Sequence, residues 1–183
     1  MRTHFAIYTQ KLTLRLPSIE EASLLAEIIS VSPTLHHWLD WCSPTFSTSD
    51  AEEFLSANQL NWIKDLSYGF GIYRKTDEAL IGMVAVSEFY RSFNMASIGY
   101  WVADPHQKHG YGKEALDALI EFCFAQLNLT RLEIVCDPEN NQSHRLAVKC
   151  GAVQESIARN RFIFHGKPRD GIVLSVIPQD TIK

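Results

Sequence analysis

Residues 96–127 read ASIGYWVADPHQKHGYGKEALDALIEFCFAQL, and three signals follow one another in that stretch. Ala96–Ala103 is rich in strand-forming residues and stops before Pro105. From about Gly112 to Leu127, Ala115, Leu116, Leu119, Phe122 and Cys123 recur at helical spacing, with Glu114, Asp117 and Glu121 on the face expected to meet water. Between strand and helix lies Gln107-Lys-His-Gly-Tyr-Gly112. A strand, a glycine-bearing turn and an amphipathic helix in that order are a building unit of α/β folds.

Reading outward towards the N-terminus, Lys11–Leu16 alternates polar and apolar residues like a half-buried strand. Pro17 breaks it, and Ser18-Ile-Glu-Glu21 is a capping box opening a helix with Ala22, Leu25, Ala26 and Ile29 inside. Ser49-Asp-Ala-Glu52 predicts a second cap, with Leu55, Trp62 and Leu66 on one face of the helix after it. Leu35-His-His-Trp-Leu-Asp-Trp41 separates these helices. Phe70–Arg74 and Leu80–Phe89 read as strands around the turn Lys75-Thr-Asp-Glu78.

Towards the C-terminus, Arg131–Cys136 is a strand with Leu132, Ile134 and Cys136 on one face. Asp137-Pro-Glu-Asn140 leads into a short helix ending near Lys149-Cys-Gly151, with Gly151 suited to the position after the cap. Val153–Phe164 and Gly171–Ile177 are strands joined through His165-Gly-Lys-Pro168. There is no repeat and no linker. The expectation is one α/β domain over residues 1–183, with a mixed sheet flanked by helices.

Composition narrows the function. The net charge of −4 argues against a phosphate-driven nucleic-acid binder. The opening MRTHFAIYTQKLTLRL lacks the apolar core of a secretory signal, and no apolar run is long enough to span a bilayer. Cys42, Cys123, Cys136 and Cys150 form no C-x-x-C pair, so buried thiols and a cytoplasmic setting are expected. Seven histidines show no metal-ligand spacing, and no metal is expected.

Gln107–Gly112 carries the sharpest chemistry. Gly110 and Gly112 allow close backbone approach, and the next helix offers unpaired N–H groups and a positive dipole end, an anion site for a pyrophosphate. Lys108 and Lys113 are placed to add charge at its rim. The glycines alone equally fit a tight turn. The stretch is neither a Walker A loop nor a complete G-x-G-x-x-G.

Gln107-x-x-Gly110-x-Gly112, after a strand closing in Trp101-Val-Ala, resembles the coenzyme-A loop of GNAT-type N-acetyltransferases. Asn140-Asn-Gln-Ser143 followed by Leu146-Ala-Val-Lys-Cys-Gly151 resembles a second segment of that superfamily. Leu12-Thr-Leu-Arg-Leu, Trp38-Leu-Asp-Trp41 and Ile98-Gly-Tyr-Trp101 resemble the ribosomal-protein serine and alanine N-acetyltransferases, best the serine-specific type.

The resemblance implies a mostly antiparallel mixed sheet with a splay between its two central strands. Pantetheine would lie in the splay against the backbone of Trp101, Val102 and Ala103. The pyrophosphate would lie at Gln107, Lys108, His109, Gly110, Tyr111, Gly112 and Lys113. It gives Asn140 to the pantetheine arm and makes Ser143 both a cofactor contact and the proton donor to the leaving thiolate. Asn140 also fits an ordinary N-cap, and Ser143 an ordinary backbone bond. Relatives can carry a glutamate base where this chain reads Asn160-Arg-Phe162, so that transfer fails. Glu88, at a strand end, is then the best-placed carboxylate, and it equally fits a solvated charge. His144, beside Ser143, is expected to point elsewhere.

The acceptor groove is expected between Trp38, Asp40 and Trp41 on one side and Phe162 and Arg169 on the other, with His36, His37, Phe164 and His165 nearby. The expected reaction is direct acetyl transfer from acetyl-CoA to a protein N-terminus, of a ribosomal protein beginning with Ser or Ala. The alternatives are a small-amine acetyltransferase and a non-catalytic acetyl-CoA-binding module. Relatives are often homodimers, and the sequence adds no dimerisation signal of its own.

Overall fold

In the computed structural model, which describes residues 4–181, eight strands form one sheet in the order β1-β2-β3-β4-β5-β6-β8-β7. They are β1 (Ala6–Tyr8), β2 (Leu12–Arg15), β3 (Tyr68–Arg74), β4 (Leu80–Tyr90), β5 (Met95–Val102), β6 (Arg131–Cys136), β7 (Val153–Phe164) and β8 (Lys167–Val176). The helices are α1 (Ala22–Ser30), α2 (Pro33–Trp38), α3 (Thr48–Ile63), α4 (Tyr111–Ala125) and α5 (Asn141–Lys149). Every neighbouring pair is antiparallel except β5 and β6. The ends of the expected 1–183 domain, and the start of the segment read for a leader, lie outside the described residues. No helix among the described residues is long and apolar enough to cross a membrane.

Two apolar clusters cover the sheet's two faces. On one side α4 packs Leu116, Leu119 and Phe122 with Phe70, Leu132 and Ile134. On the other, Leu25, Ile29 and Leu55 of α1 and α3 pack with Leu80 and Met83. The pleat of β5 divides between them. Ala96, Ile98, Tyr100 and Val102 belong to the first cluster, and Trp101 packs on the second.

The expected splay is present. β5 and β6 pair only at Met95↔Arg131, Ala96↔Leu132 and Ser97↔Glu133, although β5 continues to Val102 and β6 to Cys136. Past that point β6 remains paired to β8 as far as Cys136↔Ile172, and β5 to β4 as far as Gly82↔Val102. The β6-facing edge of Ile98–Val102 therefore has no ladder partner, although it lies in the middle of the sheet.

Some expectations shift. The α3 cap is Ser47, not Ser49: its hydroxyl accepts from Asp50 N–H at 3.2 Å, and the Asp50 carboxylate accepts from Ser47 N–H at 2.7 Å. Starting there puts Ala51, Leu55, Asn58 and Trp62 on the buried stripe, whereas Leu66 falls beyond the helix and is exposed. Glu114 does not simply face water. Its carboxylate accepts from Thr9 Oγ1 and Lys11 N–H, both at 2.6 Å, and ties α4 to the β1–β2 turn. The four cysteines are free and buried.

The α5 end closes as read. Gly151 has φ +95°, its N–H donates to Val148 C=O at 3.0 Å, and Ala152 N–H donates to Ala147 C=O at 3.1 Å. A Cβ there would also stand 3.1 Å from Asp180 C=O. Gly151→Ala should destabilise by about 1–2 kcal/mol, lowering Tm by about 2–8 °C in calorimetry.

Candidate active site

Where β5 and β6 part, a cleft of about 1320 Å³ runs through the sheet. One end is lined by Val102, Gln107, Lys108, Gly110, Gly112 and Lys113, and the middle by Tyr100, Cys136, Asn140 and Ser143. At the other end stand Glu88, Trp38, Trp41, Phe162, Phe164 and Arg169.

The loop before α4 has backbone angles that suit an anion. Lys108 has φ +65° and Gly110 φ +84°, and such reversals aim successive N–H groups to one side. A Cβ on Gly110 would meet nothing within 4 Å, so this glycine is needed for its backbone angle and leaves open space above it. Gly112 acts differently: it is inside α4, and a Cβ there would stand 3.1 Å from Leu146 Cδ2 of α5. Lys113 pairs with Asp117 at 2.5 Å, one helical turn on. Lys108 has no ion-pair partner among the described residues. His109 and Tyr111 stack on each other at 5.8 Å and do not line the cleft.

Gln107 is a structural clamp. Its amide Nε2 donates to Val102 C=O at 2.9 Å, to Thr34 Oγ1 at 3.0 Å and to Asp104 Oδ1 at 3.1 Å. Thr34 N–H and hydroxyl in turn donate to Asp104. The loop is thus bolted to α2, from the other wall of the cleft. Ala103 is fully buried, and its N–H is taken by Ile81 C=O at 2.9 Å, so only Trp101 and Val102 of the expected trio line the cleft.

On α5, Asn140 is the N-cap: its Oδ1 accepts from Ser143 N–H at 3.0 Å. Ser143 lies within hydrogen-bond reach of Tyr100, whose hydroxyl is 2.9 Å from Ser143 C=O and 3.0 Å from Ser143 Oγ. Burial pushes the Tyr100 phenol above its usual pKa. It also raises the Cys136 thiol, an effect that a hydrogen bond with Ser143 opposes. Tyr100 falls within the Ile98-Gly-Tyr-Trp101 stretch, which assigns it no role; the alternation of β5 turns it inward beside Ala96 and Ile98. His144 lies next to Ser143 but bonds Gln154 Oε1 of β7 at 2.9 Å.

At the opposite end of the cleft, Glu88 sits on a bulge of β4 with φ +50°, and its carboxylate accepts from Ser97 Oγ at 2.7 Å. Arg161, in the stretch that lacks a glutamate, pairs with Glu133 at 2.5 Å, and Arg169 pairs with Asp137 at 3.0 Å. Arg169 also lies over the Phe164 ring at 5.2 Å. Trp41 is 40% exposed, stacked on Phe54 at 5.0 Å and edge-on to Trp101 at 6.3 Å. Asp40 does not line the cleft. It joins the two walls at the rim, accepting from His165 N–H at 2.9 Å with His165 Nδ1 at 2.6 Å.

The cleft, the glycine loop and the parted strands are the features of the GNAT fold. Residues 11–153 match the model of the acetyltransferase (GNAT) domain, and the chain belongs to that family. The solved structure assigned as a ribosomal-protein-serine acetyltransferase from Vibrio cholerae is 54% identical, with a TM-score of 0.90 over 97% of this chain and 100% of that one. The ribosomal-protein-serine acetyltransferase of Escherichia coli is 28% identical over 66% of each chain. A ribosomal α-N-protein acetyltransferase in complex with coenzyme A, 20% identical, shares the fold with a TM-score of 0.85 over 97% of this chain and 100% of that one. Several other curated bacterial N-acetyltransferases are matched over 61% to 65% of their own length.

Gln107→Ala removes the shared donor of the clamp. Amide exchange across residues 105–113 should speed up about fivefold to tenfold, the loss of one hydrogen bond. Exchange in β3, outside the clamp, should not change.

Proposed function

We propose that this protein transfers the acetyl group of acetyl-CoA directly to the N-terminal α-amine of a protein, a ribosomal protein beginning with Ser or Ala, in the cytoplasm. The observation that carries the reading is the open β5 edge, with an anion cradle at one end and the Glu88 carboxylate at the other. The edge of Ile98–Val102 suits an extended pantetheine arm, and the N–H groups of 109–113 suit its pyrophosphate. The Asn140 oxygen serves the helix cap, and its amide nitrogen has no partner among the described residues and suits the arm. The solved neighbour of the same fold that holds coenzyme A supports the choice of ligand.

The chemistry asks little of the side chains. An α-amine with pKa near 8 is about a tenth neutral at pH 7, whereas a lysine near 10.4 is neutral about four times in ten thousand. Glu88 takes the remaining proton, directly or through one water. The amine nitrogen then attacks the thioester carbonyl, the C–N bond forms, the second proton that nitrogen loses passes to solvent, the C–S bond breaks, and sulfur leaves with the electron pair. Backbone N–H groups of the open edge face the developing oxyanion, and Ser143 Oγ–H bonds the departing sulfur. A thiolate of pKa about 8.5 needs no stronger acid. Of the other carboxylates that line the cleft, Asp137 is already paired with Arg169, and Glu139 lies beside it just before α5. The aromatic end of the cleft where Glu88 stands holds no cluster of carboxylates, which favours a chain terminus over a polyamine.

Incubation of the protein with acetyl-CoA and ribosomal proteins, followed by mass-spectrometric site mapping, should find acetyl on N-terminal Ser or Ala. Label confined to lysine side chains would overturn the reading. Glu88→Gln should lower kcat by about a hundredfold or more, the usual loss for a general base.

A further inference from the structure

We propose that Tyr100 is a positioning residue that turns the Ser143 hydroxyl towards the departing sulfur; this rests on the acetyl-transfer reading above. The Tyr100 ring is on the inward face of β5 and packs against the apolar cluster under α4. Its hydroxyl stands 2.9 Å from Ser143 C=O and 3.0 Å from Ser143 Oγ, so one residue offers it two acceptors. Burial keeps the phenol neutral by raising its pKa, and a neutral phenol has one proton to donate.

The two acceptors define two arrangements. With the phenol proton on the Ser143 carbonyl, the phenol oxygen faces Oγ, and the serine proton points back at Tyr100. With the phenol proton on Oγ, the serine oxygen is an acceptor there, and its own proton must point elsewhere. Two directions remain, the Cys136 sulfur and the open cleft that Tyr100, Ser143 and Cys136 all line, and of these only the cleft can hold a sulfur that gains negative charge in the reaction. As negative charge builds on sulfur, the second arrangement gains a charge-assisted hydrogen bond. The pair then reorients together, and no proton leaves either oxygen. The thiolate acquires its proton later from solvent.

This differs from a tyrosine acting as the acid itself. A buried phenol far from any cation is a poor source of a proton, and no cationic partner is found for Tyr100 among the described residues. It also differs from a packing role, because the hydroxyl alone carries the effect. Tyr100→Phe keeps the ring and removes only that oxygen.

The test uses the full chain, with Tyr100→Phe, Ser143→Ala and the double variant. Tyr100→Phe should lower kcat about fivefold to tenfold while leaving KM for acetyl-CoA within about twofold. The double variant should be no slower than Ser143→Ala. A second readout needs no acceptor: the ultraviolet absorbance of the thiolate of bound coenzyme A, followed against pH. Bound coenzyme A should ionise at lower pH on the wild-type protein than on either single variant, and the two single variants should superpose. Multiplying rate effects, or a Tyr100→Phe titration that matches wild type, overturns the proposal and leaves the acetyl-transfer reading intact. Failure of the wild-type protein to bind coenzyme A overturns both.

Discussion

A strand edge without a partner is an expensive thing to leave inside a sheet, because each backbone donor and acceptor needs a mate. Here β6 stays with β8 and β5 stays with β4, and after Ser97↔Glu133 neither can reach the other. That divergence is the constraint on which the molecule rests. The open edge is supported from both faces, by the α4 cluster on one and the α1–α3 cluster on the other. The helices that begin at its two lips, α4 and α5, present their N-terminal turns to the same gap.

The walls of the gap are held by contacts between distant parts of the chain. Gln107 and Asp104 bolt the loop before α4 to Thr34 of α2. Glu114 fastens the first turn of α4 to the β1–β2 turn. Asp40 meets His165 at the rim, joining the early helices to the last hairpin. Each is a polar contact on a partly exposed surface, and each contributes little energy by itself. Their value lies in geometry: they fix the separation of walls that the two apolar cores would otherwise only approximate.

The sequence disclosed what is local and periodic. The β5–loop–α4 unit, the inward stripe of α4 and the Gly151 stop of α5 were legible because spacing and glycine chemistry act over a few residues. The family resemblance supplied the splay, which no periodicity announces. What stayed hidden depends on partners far along the chain or on backbone angles without a side-chain signature. Lys108 takes a left-handed angle that glycine would ordinarily mark. Gln107 reads as a ligand residue, yet its amide is held by Thr34 and Asp104. Glu114 fits a solvent-facing position until Thr9 and Lys11 arrive from the first hairpin. The α3 cap is ambiguous in the sequence because Ser47 and Ser49 both begin an S-x-x-acid pattern, and the structure places it at Ser47.

The pleat of β5 has one more consequence. Ile98, Tyr100 and Val102 face the α4 side, and Ser97 and Trp101, reached from the opposite face, stand with Glu88 and the aromatic walls. Neighbouring positions of one short strand therefore answer to different halves of the cleft. A change at Ser97 alters the partner of Glu88 and one at Trp101 the aromatic wall, whereas Tyr100 and Val102 bear on Ser143 and Gly112. The strand works as a partition. It lets one half of the cleft diverge by single substitutions while the other is inherited intact.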